Sequence, residues 1–389
     1  MKKDTILLLG ADGYIGTALT LRLLSNGYRV IGVDSEVRRH NVKSMGSFSA
    51  IPIDMPLERK KKYEEIGEYE YYPFNTRDYS RLRFLIEYHR PHTIVNLAQQ
   101  PSAPFSHRSL VDATDTIIGN EIGIINILEA IRTTDTDIPL ITIGSMGEYD
   151  QSMGVDIEEG VFDFHHNGRV AKNVIYPRRA PSIYHSSKIA STYLVDLASR
   201  SYGIRATDIM QGIVYGNWTD EIEYYGINTR LDSDEAFGTV INRFIVQAVL
   251  GHPLTVYGEG EQQRGFLALN DSIQCLMLAI ENPPEPGEYR TWNQLDTPYS
   301  IKDVAETIRD IVNTNFKNIK CGIRHIDTPR AENTSKVYYN AKVDKLNKLG
   351  FSPTRTIEDE IKYIIPKLMG LDLTGLADVV LPRIVWRKE

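Results

Sequence analysis

An α/β fold built on a parallel, doubly wound sheet is what the sequence predicts, and two observations carry it. Strand-like and helix-like runs alternate from residue 5 onward, and three glycines stand between the first strand and the first helix. Parallel strands need crossover helices, and the alternation supplies them. Thr5 to Leu9 reads as the first strand. Ile15, Ala18, Leu19 and Leu23 then recur at helical spacing, Gly27 stands where a helix ends, and Arg29 to Val33 resumes as strand. Further strands are expected at Tyr69 to Phe74, His92 to Leu97, Leu140 to Ile143 and Thr207 to Gln211. Residues 35–68 form an insert with the charged run Glu58 to Lys62, read as a helix with a solvated face and, alternatively, as a flap or partner surface. Beyond Tyr215 the regularity loosens. Helices return at Ile301 to Val312 and Ile357 to Leu368, with Pro366 and Pro382 marking breaks. The expected division is a cofactor domain over 1–210 and a second lobe over 211–389, some of whose segments return to the first.

Composition narrows the function classes. With 42% hydrophobic and 24% charged residues, and no apolar run near the ~18 needed to span a bilayer, the chain is not expected in a membrane. A net charge of −7 without a basic block argues against nucleic acid as partner. Cys275 and Cys321 match no zinc or redox spacing, so no metal is expected. A reducing compartment is the default for so few cysteines. The N-terminus reads as lacking a targeting segment, so the expected location is cytoplasmic.

Gly10-Ala11-Asp12-Gly13-Tyr14-Ile15-Gly16 follows a strand and opens a helix. Glycine lets the backbone turn sharply and approach a pyrophosphate, while the helix N-terminus offers free N–H groups and a positive dipole. Asp34, eighteen residues after Gly16, is placed to bond a ribose diol and would repel a 2′-phosphate. NAD is therefore expected within a Rossmann-type domain, with Arg38 and Arg39 keeping NADP open. Asn75 and Thr76 are expected near adenine, and Leu97 ends the fourth strand beside the cofactor.

Tyr184 and Lys188 are four residues apart and share a helix face. A phenol with a pKa near 10 makes a poor base at neutral pH unless a cation stabilises its phenolate, and lysine supplies one. Ser145, just past a strand, adds a hydroxyl. Together these residues resemble the Ser/Thr-Tyr-Lys set of the short-chain dehydrogenases, and the chain length points to the extended branch. In that branch the 4,6-dehydratases carry an Asp-Glu pair after the hydroxyl residue. Met146 and Gly147 occupy those positions here, so a dehydratase is not expected, while a 4-epimerase needs neither.

A closer resemblance lies in Ser145-Met146-Gly147-Glu148-Tyr149, Asp156 to Gly160, His166 to Arg169, Gly203 to Asp208, Gln211 to Gly216, Gly251 to Gly258 and Tyr338 to Lys342. These blocks are similar to the UDP-sulfoquinovose synthases, and the similarity runs from Gly10 to Trp386. It implies conversion of UDP-glucose and sulfite, or a sulfite-donating protein's cargo, into UDP-sulfoquinovose and water. Tyr184 would act as base while NAD oxidises C4, water would leave across C5 and C6, sulfite would add at C6, and C4 would be reduced again. His185 is the first candidate for the C5 proton because imidazole serves as acid and base near neutrality. One helical step separates it from Tyr184 by about 100 degrees, which leaves its reach open. Glu148 is the second candidate, with support of the loop as its alternative.

The resemblance further places Arg264 and Arg330 on the substrate diphosphate, as suits paired guanidinium donors. It also places Thr255 and Tyr257 at the uridine, Arg230 at the sugar, and Met146 and Gln211 along the substrate. Gln100 and Ser102 would wall the sulfonate. The chain departs from plant-type members at Pro101, where they have an arginine, at Gln99, where they have a glutamate, and at Asn75, where they have an aspartate. A homodimer is implied through the helices of Asp112 to Ile131 and Tyr184. A UDP-glucose 4-epimerase and a nonenzymatic NAD-bound sensor remain as alternatives.

Overall fold

The computed structural model describes residues 4–149, 154–328 and 339–385. Strand β1 (Thr5–Leu9), helix α1 (Tyr14–Ser25) and β2 (Arg29–Asp34) open the chain. The insert holds α2 (Val37–Ser44) and α3 (Pro56–Ile66). The alternation continues through β3 (Tyr69–Pro73), α4 (Tyr79–His89), β4 (Thr93–Asn96), α5 (Leu110–Thr134) and β5 (Leu140–Ser145). An exposed hairpin, β6 (Val161–His166) and β7 (Arg169–Ile175), precedes α6 (Ile183–Tyr202) and β8 (Ala206–Gln211). There follow β9 (Ile213–Tyr215), α7 (Asp220–Tyr225), α8 (Val240–Val249), β10 (Leu254–Tyr257), β11 (Gln263–Ala268), α9 (Leu269–Glu281), β12 (Tyr289–Gln294), β13 (Thr297–Ser300), α10 (Ile301–Asn315), β14 (Ile323–Ile326), α11 (Asp344–Lys348) and α12 (Ile357–Leu368).

Seven strands, all parallel, make the central sheet in the order β12-β8-β5-β4-β1-β2-β3. Each of the six expected strands lies in it, and β12 adds the seventh. Every residue of β1 is buried, as a strand covered on both faces requires. Its alternate side chains enter different cores: Ile6 and Leu8 pack with Leu19 and Leu23 of α1, whereas Leu7 and Leu9 pack with Ile124 and Ile127 of α5. The chain winds one way from β1 through β2 to β3 and the other way from β4 to β5. A crevice therefore opens at the carboxyl ends of β1 and β4, the switch point where doubly wound sheets hold ligands.

The second core joins α8, α10 and α12 through Phe244, Ile308, Ile361 and Ile365. It covers the short sheet β13-β11-β9 and the parallel pair β10-β14. Two expectations need correction. Pro366 lies inside the last turn of α12, which runs two residues past it. The Glu58 to Lys62 run is not wholly solvated either, because Arg59 and Tyr63 point inward and are buried. Arg59 Nη1 donates to Asp12 Oδ1 (2.7 Å) and Thr17 Oγ1 (2.9 Å), which fastens the insert to the glycine loop.

Candidate active site

The glycine loop is shaped by close approaches. Gly10 has φ +89°, and a Cβ there would stand 2.7 Å from the Leu97 carbonyl carbon. A Cβ on Gly16 would stand 2.0 Å from the Gly10 oxygen. The ends of β1 and β4 can thus meet, and Leu97 N donates to Leu9 O at 2.8 Å. Helix α1 begins at Tyr14 with Gly13 as its cap and no side chain on its first N–H groups, which leaves them for an anion. Asp34 ends β2 with its carboxylate accepting from the N–H groups of Asp12 (2.9 Å) and Glu36 (2.7 Å). Burial and the nearby Asp12 carboxylate push its pKa up to about 6. Glycine cradle, open helix end and ribose-facing carboxylate together fit NAD.

Several expected cofactor residues play other parts. Asp12 uses its carboxylate on Arg59 and on Arg39, whose Nε lies 2.6 Å away. The Tyr14 hydroxyl donates to Gly216 O at 2.5 Å, tying α1 to the second lobe, and Ile15 packs against the core beneath. Arg38 pairs with Asp232 (Nη2 to Oδ2, 2.7 Å) and lies 4.0 Å over the Phe237 ring, so in this structure its guanidinium is turned to the second lobe. Asn75 lines a shallow cavity with Ser35, Glu36, Val37 and His40, and Thr76 is buried beside Gly123 of α5.

At the next strand end the redox set comes together. Ser145 closes β5, its hydroxyl accepts from Gly147 N at 3.1 Å, and its side chain lies near enough to the Tyr184 phenol to favour the phenolate. The Lys188 ammonium lies 5.7 Å from the Tyr184 ring centroid and donates to Ile143 O (2.7 Å) and to Gln99 Oε1. Burial pushes the Tyr184 pKa up, an effect the Ser145 contact opposes, and burial lowers that of Lys188. The His185 ring stands edge-on to Tyr184, with centroids 4.8 Å apart, so the helical step does not part them. Its Nδ1 meets Ser182 Oγ at 2.7 Å, and its other edge packs on Gly147, where a Cβ would come 2.2 Å from Nε2.

Of the two readings of Glu148, its contacts favour support of the loop over an acid facing substrate. It is fully buried, accepts from Ser145 N at 2.8 Å, and forms an ion pair with Arg178. These contacts hold the turn. Met146 is likewise buried, among Tyr149, Tyr176 and Met210, and does not line the cavity beside the Pro101–Pro104 loop. Gln100 has its amide on Thr116 Oγ1 (2.7 Å), Ser102 O (3.1 Å) and Ser102 N, so its polar atoms serve the loop rather than a sulfonate. Ser102 borders the cavity, but its hydroxyl donates to Ala236 O.

That cavity, of about 220 Å³, opens between the Pro101–Pro104 loop and the second lobe. Thr255, Tyr257 and Arg264 line it, as does Arg243, which the sequence reading missed. Arg243 is buried in the apolar helix α8, donates to the Tyr257 hydroxyl at 3.2 Å, and its Nε meets no protein acceptor among the described residues. A lone arginine within the apolar run Val240 to Val249 was the available signal. Gln211 ends β8 and donates to Ser272 Oγ at 3.2 Å. Arg230 does not line the cavity and is paired with Asp232. Arg330 lies outside the described residues.

Comparisons with known proteins agree with this geometry. Residues 6–293 match the NAD dependent epimerase/dehydratase family. A UDP-sulfoquinovose synthase of Sulfolobus acidocaldarius is 39% identical over 98% of each chain. The chloroplastic UDP-sulfoquinovose synthase of Spinacia oleracea is 35% identical, over 99% of this chain and 80% of the relative. Among solved structures, the UDP-glucuronic acid 4-epimerase of Bacillus cereus with UDP-glucuronic acid and NAD has a TM-score of 0.67 at 19% identity, covering 94% of this chain and 99% of that one. The chain belongs to the NAD dependent epimerase/dehydratase family, in the branch of the UDP-sulfoquinovose synthases.

Proposed function

We propose that this chain converts UDP-glucose and sulfite into UDP-sulfoquinovose and water. The observation that carries the reading is its 39% identity to a UDP-sulfoquinovose synthase across nearly the whole length of both chains. NAD, when bound, takes the C4 hydride and later returns it. Tyr184 receives the C4 hydroxyl proton, and the Lys188 charge beside its ring favours the phenolate. Ser145 aligns that hydroxyl. With the C4 ketone formed, the C5 proton is acidic, and His185, edge-on to Tyr184, is positioned to remove and restore it. Arg243 and Arg264 receive the diphosphate in the cavity below. Water then leaves from C6, sulfite adds at C6 of the 4-keto-5-ene, C5 is reprotonated and C4 is reduced again; with Met146 and Gly147 where a dehydratase carries its Asp-Glu pair, His185 is the group that serves as base at C5 and as acid to the departing C6 hydroxyl.

The same reading includes a homodimer. Helix α5 exposes Ile118, Ile122 and Ile125 at helical spacing, and the adjoining α6 exposes Tyr193 and Leu197. Among the described residues no helix is long and apolar enough to cross a membrane. The deciding experiment is mass spectrometry of products from UDP-glucose with and without sulfite. A UDP-sugar sulfonate that forms only with sulfite is the expected result; UDP-galactose without any sulfonate would make the chain an epimerase. Loss of solvent-deuterium exchange at C5 in His185→Ala is expected, and persistent exchange would remove His185 as the base.

A further inference from the structure

We infer that Arg230, a residue of the second lobe, is a cofactor-binding residue whose guanidinium meets the dinucleotide pyrophosphate. Residues 228–232 arch over the glycine loop. Asn228 O accepts from Arg59 Nη2 at 3.2 Å, Thr229 Oγ1 donates to Tyr14 O at 2.6 Å, and Leu231 N donates to Ser49 Oγ at 2.9 Å. Asp232 then reaches Arg38 of α2. Arg230 is therefore held between the N-terminus of α1 and the start of α2, the span a pyrophosphate and ribose occupy in a doubly wound sheet.

Its side chain is 3% exposed, with Nε on Asp232 Oδ2 at 2.9 Å, and its Nη1 is buried and donates to no protein group among the described residues. A buried guanidinium donor left unmet costs free energy, so its placement needs an acceptor. The charge around the loop points the same way. A pyrophosphate is anionic, and a helix N-terminus offers only about half a positive charge. Arg39 and Arg59 are committed to Asp12. Arg38 and Arg230 share the single carboxylate of Asp232, while Asp234 beyond it accepts from the backbone N–H groups of Ala236 (3.0 Å) and Phe237 (2.8 Å). The Asp234 carboxylate acts on Arg38, so among the described residues Arg230 has Asp232 as its one ion-pair partner and keeps an unmet Nη1 beside the open end of α1. Asp232 orients the guanidinium, as a carboxylate fixes one edge of a planar fork and leaves the other for phosphate oxygens.

The test is displacement of etheno-NAD from the folded protein by ADP-ribose and by adenosine, with the substrate cavity saturated with UDP. In Arg230→Met the ADP-ribose affinity is expected to fall at least tenfold while adenosine is unchanged, and co-purified NAD should be lost on gel filtration. Unchanged ADP-ribose affinity would overturn the assignment. So would an equal loss for both ligands, which marks a merely structural role, or a loss confined to UDP-glucose, which returns Arg230 to the sugar. If Arg230→Met does not fold, Arg230→Lys carries the test: it keeps the charge without the fork, and a selective loss of about threefold for ADP-ribose is expected. Equal binding there would reject the clamp.

Discussion

Two buried carboxylates underlie the two halves of the site, and they are held in different ways. Asp12, under the glycine loop, is gripped by Arg39 and Arg59, both from the 35–68 insert. Glu148, under the redox turn, has among the described residues the one ion-pair partner Arg178, together with the backbone of Ser145. The Arg39 side chain is 18% exposed, whereas Arg178 and Glu148 are at 1% and 0%. Burial pushes the Glu148 pKa up even though Arg178 pulls it down. An ion pair sealed from water is costly to break because the survivor cannot be solvated, while a doubly served carboxylate keeps a partner when one is removed. The redox turn is therefore built as core, and the cofactor loop as a joint closed by an insert.

The largest expected effect separates chemistry from binding. Tyr184→Phe should lower kcat by about 10²- to 10⁴-fold, the usual worth of a positioned acid–base group, with NAD still bound. Loss of NAD together with activity would mean that the two halves do not fail separately. The contrast in rigidity is tested next by denaturant unfolding. Arg178→Met should cost about 3–5 kcal/mol by stranding Glu148, and Arg39→Met only about 1 kcal/mol, since Arg59 still serves Asp12. Equal losses would break the comparison, and a rescue of Arg178→Met by Glu148→Gln would sharpen it.

The same division decides what the sequence made legible. Gly10, Gly13 and Gly16, like Tyr184 and Lys188, act through fixed local spacing, and local spacing sets geometry once strand and helix are known. Closure from a distance left no such trace. Arg59 lies in a run of charges that reads as solvated, yet it turns inward to a carboxylate 47 residues back. Arg178 meets Glu148 across the hairpin, and Arg38 meets Asp232 across 194 residues. Gln100 and Ser102 read from the sequence as polar groups near C6, but polarity does not say whether a partner is already present. Each has its hydrogen bonds within the protein. The charge in the apolar α8 was the one distant feature open to reading, because a buried arginine needs a reason.

The smallest effect lies on the cofactor side and follows from Asp34. Its pKa is raised to about 6, first by burial and then by the Asp12 carboxylate. The ribose diol donates to the ionised form, and a protonated carboxyl offers it less. NAD affinity should therefore be constant above neutrality and fall as pH drops through 6, by at most tenfold per unit and about tenfold between pH 7.5 and 5. Stability runs the other way. A carboxyl raised in the folded state holds a proton that the unfolded chain has lost, so its contribution is greatest below the unfolded pKa near 4. That contribution declines until about pH 6 and is level above it. Titrating NAD against pH in the intact protein and in Asp34→Asn separates the two. The variant should bind more weakly at pH 7.5 and show no inflection near 6. An inflection that persists in Asp34→Asn would assign it to another group, and the loop's electrostatics would then not be set by the Asp12–Asp34 contact.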